Sequence, residues 1–398
     1  MTDTPPAFPL PRECPFGPPA RYAELRDKEP VSQVTIPTGK QPWILTRYAD
    51  VRALLADPRV SSDIRHPGFP AMGVGEQEAG ARSRPFIRTD PPEHTRYRRM
   101  LQAEFTVKRI RDMRPAIQST ADRLTDQMIA AGPPVDLVAA YANAISTTTV
   151  LSLFGAPTDD LEFFRDVTRV SGGRASSAEE VTAALGSMFR VLDDLISARD
   201  RDPGDDLLSK LVVNHLRPGA VTRHEMLSAI GITIVAGRET TTSMIALGTL
   251  MLLHHPDRLA DLRADPGLMP AAVEELLRVL SVADSIPLRV ATEDIAVGDT
   301  RIPAGAGIIA LLAAANHDPE VFPDPRSLDF TRADNHHVAF GFGLHQCIGQ
   351  NLARLELDVA IGTLIRRLPG LRSAVALEDL EFKHDAATFG IETLPVTW

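Results

Sequence analysis

The sequence predicts a mainly α-helical protein with a minor β part. Three observations carry this. Residues 226–253, "MLSAIGITIVAGRETTTSMIALGTLMLL", form an apolar run far longer than a strand. From Pro92 to about Ile196 the pattern is mainly helical. Residues 286–310, around "LRVATEDIAVGDTRIPAGAGIIA", change character and alternate between glycines as short strands do.

Taken in order, "VSQVTI" and "QPWILTR" flank the turn "PTGK" and predict a short hairpin. "YADVRALLADP" predicts a helix closed by proline. Residues 65–88 are rich in glycine and proline, lack a period and are expected to form a long functional loop. The helical stretch after Pro92 should break at "AAGPPVD", "GAPTDD" and "SGGRASS". The 226–253 helix should end at "HHPD", and "MPAAVEELLRVL" is a further helix. Residues 316–330 read as an irregular proline-studded segment. A last helix runs from about Ile348 to Leu368, and "FGIETLPVTW" reads as a closing strand. No repeat or linker divides the chain, so residues 1–398 are expected to form a single domain.

Composition excludes several classes. A net charge of -10 argues against nucleic acid as partner. Two cysteines, Cys14 and Cys347, cannot build a disulfide framework and suit a reducing cytoplasm. The proline-rich N-terminus has neither a basic start nor an apolar core, so it is no secretory signal or membrane anchor. The 226–253 run is long enough to cross a bilayer, but Arg238 and Glu239 sit at its middle, where charge is costly in lipid. It is expected to be a buried helix with a functional interruption.

The stretch "FGFGLHQCIG" (340–349) poses the chemical question. A free cysteine is often just a small buried hydrophobe. Cys347, however, follows a glycine-rich run and precedes a helix, where the helix dipole and free N–H groups favour a thiolate. A dinucleotide fingerprint would need glycine at Gln346. A zinc site would need more ligands than His345 and Cys347, and no C-x-x-C exists. "HEMLS" at 224 lacks the second histidine of a zinc helix, and no G-x-S-x-G elbow or Walker loop is present. A Cys/His hydrolase stays open, although His345 is poorly placed as a base. A thiolate holding a metal cofactor remains. One thiolate at a helix start, in a glycine-rich pocket that a flat macrocycle can approach, is what haem–thiolate ligation requires.

Phe340, Gly343, His345, Cys347 and Gly349 match F-x-x-G-x-[RH]-x-C-x-G at every position, and here the chain resembles the cytochrome P-450 family. "AGRETT" (236–241), the Glu275-x-x-Arg278 pair in "EELLR", "PPEHTRYRRM" with His94 and Arg98, and "NHDPEVFPDP" fall in the family's order. The resemblance covers nearly the whole chain. It is nearest to soluble actinobacterial hydroxylases of the vitamin D and sulfonylurea type, in "CPF", "EFTVKRI", "HHVAFGFG", "QNLARLEL" and "LPVTW".

The resemblance implies a triangular-prism fold with haem b between the long central helix and the cysteine-loop helix, and Cys347 as the axial thiolate. It implies that Thr240 donates a hydrogen bond to dioxygen in a locally widened helix, and that Glu239 relays protons; the plain alternative for Thr240 is a bond back to a helix carbonyl. His94, Arg98, Arg289 and His345 would hold the propionates, where solvated charges are the plain alternative, and Phe340 and Gly349 complete the cofactor pocket. Glu275 and Arg278 would brace the proline-rich segment rather than form an ordinary surface pair. Ile232, Val235 and Ala236, with 65–88, 165–190, "SVADSIPL" and "TFGIE", would line a mostly small and apolar substrate pocket. The implied activity is a monomeric cytoplasmic monooxygenase hydroxylating a hydrophobic small molecule such as a polyketide, secosteroid or xenobiotic. It would use O2 and electrons from a ferredoxin and ferredoxin reductase, since the chain shows no flavin or nicotinamide domain. A peroxide-driven peroxygenase and a non-turnover haem protein are the rivals; the Glu239–Thr240 pair argues against both. Finally, Arg96, Arg98, Arg99, Lys108, Arg109, Arg111 and Arg114 face only Glu104 and Asp112 in residues 96–114, which suits docking of an acidic electron carrier or a solvated face.

Overall fold

The computed structural model describes residues 5–73, 75–156 and 161–398. The predicted break at "GAPTDD" falls partly on 157–160, outside the described residues.

The central element is one helix, Arg223–His254. Thr222 starts it with a capping box, its hydroxyl accepting from Glu225 N–H while the Glu225 carboxylate takes the Thr222 N–H. Around it pack the helices Asn143–Leu153, Ala178–Arg201, Met269–Leu280 and Gln350–Arg367, burying apolar faces in the largest core. No interruption occurs at Arg238 and Glu239: the helix is α throughout, contrary to the expected break. The physical reason is that the two charges satisfy each other, Arg238 Nη1 lying 2.6 Å from Glu239 Oε2, so the backbone need not open to solvate them.

Residues 65–88 are not wholly irregular either. Glu76–Ser83 is a helix with glutamates in its first turn and Arg82 in its last, as the helix dipole favours. Its period is invisible in sequence because Ala79 is its one buried residue. Among the described residues no helix is long and apolar enough to cross a membrane.

The β part is small. A five-stranded sheet runs Val31–Gln33, Trp43–Leu45, Gly307–Ala310, Leu288–Ala291, Val60–Ser61, antiparallel except where Trp43–Leu45 meets Gly307–Ala310. The predicted hairpin is its first pair, and Arg289 stands opposite Ile308 in an inner strand. The closing strand, Pro395–Thr397, lies between Val135–Asp136 and Arg372–Ser373.

Glu275 and Arg278 organise the segment ahead of the cysteine loop. Both side chains are fully buried, so they are no surface pair. Arg278 also donates to the carbonyls of Asn316, Pro325 and Ser327, while Glu275 accepts from Asp329 N–H, Asn335 and Arg332. Asn316 continues the chain of bonds: its side-chain oxygen accepts from Val338 N–H at 2.7 Å, and Val338 O accepts from Gly341 N–H inside the cysteine loop.

Candidate active site

The cysteine loop closes on itself. Cys347 N–H donates to Phe340 O at 2.9 Å, and the helix Gln350–Arg367 begins after Gly349. Gly343 has a φ of 72°, and a Cβ there would lie 2.4 Å from Leu55 O, so only glycine lets the loop meet the end of the helix Tyr48–Ala56. Phe340 is held under the Arg354 guanidinium at 4.6 Å. Arg354 in turn is bound by Glu274 at 2.6 and 2.9 Å, and His337 reaches the same carboxylate at 3.2 Å. Burial pushes the Glu274 carboxyl up, but these two bases outweigh it and hold it at about 2. Sequence reasoning missed Glu274; its signal was an acid beside Glu275 on the other helical face.

The Cys347 side chain opens onto a slot and is otherwise enclosed by protein. Phe340, Gly349, His94, Arg98, Arg289, His345, Ile232, Ala236 and Thr240 line the same slot. Left to itself the thiol is pushed above its ordinary value by burial; the Gly349 N–H, Arg98 and Arg354 pull the other way without prevailing. The helix start therefore does not make a thiolate unaided, and a metal cation facing the sulfur would tip the balance. Among the described residues no group of three or more histidine, cysteine or acidic side chains could hold a metal ion, so a metal at Cys347 needs its other ligands from a cofactor.

The slot carries uncompensated positive character. The His94 and His345 rings lie 4.0 Å apart, and neither nitrogen of His94 nor Nδ1 of His345 has a partner. Arg289 donates only to the Leu288 carbonyl beside it, and Arg98 finds no acceptor among the described residues. Burial, then Arg98, lowers His94 to about 4; Asp90 pulls the other way, and Arg289 adds a lesser push down. Burial, then Arg289, His94, Arg88 and Arg98, lowers His345 to about 2. Arg289 falls to about 10 through burial and the neighbouring Arg88. Buried polar groups left without partners in one cluster call for an anion. A flat anionic macrocycle with its own metal fits this slot: thiol, open rim and orphaned donors all match.

Above the slot lies a cavity of about 920 Å³, and Ile87, Arg88, Ile232, Ala236, Thr240 and Ile286 line both. Val235 lines the cavity alone. The 65–88 and 165–190 segments contribute to its wall, and the lining is mainly small or apolar as expected, with Arg165, Asp166, Arg169, Arg174, Lys383 and Asp385 standing among it. These charges come from distant segments, so nothing local along the chain marks their convergence.

Thr240 donates its hydroxyl proton to Ala236 O at 2.8 Å, so the expected donation toward dioxygen is not the geometry present. Glu239 binds Arg238 at 2.6 Å and, unforeseen, Lys383 at 2.7 Å. Burial raises the Glu239 carboxyl, but Lys383 and Arg238 together hold it below its ordinary value.

In the 96–114 stretch, Arg96 is tied to Glu225 and Tyr97, Arg109 to Glu104, Arg114 to Asp358, and Arg98 borders the slot. That leaves Arg99, Lys108 and Arg111 as exposed cations without a partner among the described residues.

The family model for cytochrome P-450 matches residues 178–370. Pentalenic acid synthase of Streptomyces avermitilis is 46% identical over 394 residues, covering 99% of this chain and 98% of its own. Vitamin D3 dihydroxylase of Streptomyces griseolus is 43% identical over 399 residues, covering 100% of this chain and 98% of its own. The crystal structure of CYP105N1 from Streptomyces coelicolor, described as a cytochrome P-450 oxidase in the coelibactin siderophore biosynthetic pathway, is 63% identical. It superposes with a TM-score of 0.90, covering 99% of this chain and 100% of its own. With relatives more than 40% identical over nearly their whole length and the fold matched end to end, the chain belongs to the cytochrome P-450 family of haem–thiolate monooxygenases.

Proposed function

We propose that this monooxygenase holds haem b through Cys347 and hydroxylates a bulky, largely hydrophobic secondary metabolite or xenobiotic with electrons from a ferredoxin and its reductase. The observation that carries the reading is one slot with a single thiol on its wall, two buried imidazoles without hydrogen-bond partners, and the guanidiniums of Arg98 and Arg289 beside them. Cys347 is the only cysteine lining the slot among the described residues, so none remains to attach the macrocycle covalently; that favours haem b.

In this reading His94, Arg98, Arg289 and His345 bind the propionates, and Phe340, pinned by Arg354, keeps the loop rigid. When bound, the haem supplies activation of dioxygen and insertion of one oxygen atom into a C–H bond. Glu239 brings protons from the cavity side. Thr240 Oγ1 accepts one and releases its own, as the hydroxyl now bound to Ala236 O turns into the slot. Glu275 and Arg278 act at a distance by fixing the segment that precedes the loop.

A cavity of about 920 Å³ lies near the upper end of small-molecule sites, roughly 300–1,000 Å³, and suits a large substrate. The relatives' names, pentalenic acid, vitamin D3 and a siderophore pathway, favour that class. The exposed Arg99, Lys108 and Arg111 support an acidic electron donor. We place the enzyme in the cytoplasm as a monomeric, single-domain protein.

The test is the absorption spectrum of the reduced protein with carbon monoxide. Wild type should show the red-shifted band of thiolate ligation, and Cys347→Ala should lack it. An imidazole-type band in wild type, or an unchanged band in the variant, overturns the assignment of Cys347.

A further inference from the structure

The Lys383–Glu239 contact joins residues 144 positions apart, and the established activity does not require it. Lys383 stands on a hairpin near the C-terminus: Phe382 bridges Ile391, and Lys383 N–H donates to Gly390 O at 2.9 Å. Gly390 lets this hairpin lie flat on the central helix, since a Cβ there would come within 2.5 Å of Ser243 Oγ. The tip of the hairpin is stitched to the end of the helix Leu161–Gly172. Gly173 bridges Ala386, Ala387 N–H donates to Gly172 O, Arg174 N–H donates to Asp385 O, and Arg174 Nη1 donates to His384 O. Gly172, Gly173, Arg174 and residues 382–387 line the substrate cavity. One strap therefore touches both the cavity rim and the acid.

We propose that Lys383 is a positioning residue for the reaction: it fixes the Glu239 carboxylate from the hairpin, so that seating of the hairpin on the Leu161–Gly172 helix governs proton delivery to Thr240. This rests on the reading of Glu239 as the proton relay.

The charged groups around Glu239 are few. Arg238 precedes it on its own helix, and Lys383 comes from the hairpin. From the Leu161–Gly172 helix, Arg165 and Asp166 act on Arg238 with opposite signs. Removing Lys383 takes away one of two cations that oppose burial, so the Glu239 carboxyl moves up toward neutrality. Its carboxyl then holds a proton to higher pH than in wild type. A neutral relay cannot accept the next proton, and dioxygen that takes up two electrons and two protons without reaching substrate leaves as hydrogen peroxide.

The experiment compares holoenzyme of wild type, Lys383→Met, Lys383→Arg, Glu239→Gln and the Lys383→Met/Glu239→Gln pair. Infrared difference spectra between pH 5.5 and 7.5 should show a protonated-carboxyl band in Lys383→Met that is absent from wild type, from Lys383→Arg and from the double variant. With a surrogate ferredoxin system, the product-to-peroxide ratio of Lys383→Met should fall by about tenfold, a partial loss against the roughly hundredfold that removing an acid–base group costs. It should also become pH-dependent, with Lys383→Arg restoring both. A Lys383→Met spectrum and ratio identical to wild type, or a band that survives in the double variant, overturns the role of Lys383 alone. An unchanged ratio in Glu239→Gln overturns the relay reading, and the proposal with it.

Discussion

Arg278 grips Glu275 through two parallel hydrogen bonds, 2.8 Å from Nε and 2.7 Å from Nη2, with neither side chain exposed. A buried ion pair is worth little against an apolar substitute, but each partner depends strongly on the other. Here every remaining donor and acceptor is spent on the segment leading to the cysteine loop, so the pair acts as a fixed post for that loop.

Glu275→Ala should therefore destabilise the protein by about 3–5 kcal/mol, because it strands a buried guanidinium. Denaturant unfolding measures this. A loss below 1 kcal/mol, about the scale of an exposed pair, would contradict the burial argument.

The histidine pair makes acid stability depend on the cofactor. In the cofactor-free chain both folded values, about 4 for His94 and about 2 for His345, lie below the ordinary histidine value. As pH falls from about 6.5, the unfolded chain takes up protons that the folded chain refuses, so stability is lost through that window. Thermal unfolding of the cofactor-free protein at pH 7, 6 and 5 should show the decline. Replacing both histidines with glutamine should flatten it, although buried His317, lowered to about 3, leaves a residue of the effect.

Two glycines of the loop separate backbone strain from steric conflict. Gly341 and Gly343 both have positive φ, but a Cβ at Gly341 meets nothing within 4 Å. Gly341→Ala should cost only the backbone term, roughly 1–3 kcal/mol. Gly343→Ala must also push aside the Leu55 carbonyl, and should lose more stability and retain less haem. Equal effects in parallel purification and melting experiments would show that the close approach does not matter.

Electron delivery should respond to Arg99, Lys108 and Arg111 rather than to the whole basic stretch. Reversing these three charges should slow reduction by an acidic donor at low salt and weaken its salt dependence, with substrate-binding spectra unchanged. Reversing Arg96 instead should damage the start of the central helix, since Glu225, its partner, is the acid of the capping box. Stopped-flow reduction across a salt series distinguishes the two; identical rates in the triple variant would remove the docking surface.

Much of the fold was legible because local chemistry wrote it. "MPAAVEELLRVL" is the helix Met269–Leu280 to the residue, and the glycine-punctuated stretch yields four short strands. The Glu76–Ser83 helix was not legible, because one buried alanine gives no apolar stripe. The expected interruption of the central helix failed for a related reason. Arg238 and Glu239 are met by partners that leave the helix unbroken, one next door and the other 144 residues away.

What the sequence determined by itself was the chemistry that depends on neighbours along the chain: a thiol at a helix start behind a glycine-rich turn, in a mainly helical protein. Those features follow from backbone freedom, helix ends and spacing, which are local properties. Only the tertiary structure decided that His94, Arg98, Arg289 and His345 share one rim, that Glu274 braces Phe340 through Arg354, and that Lys383 holds Glu239. Each of these joins segments far apart in sequence, and such contacts exist only once burial has brought the segments together and left their charges few places to go.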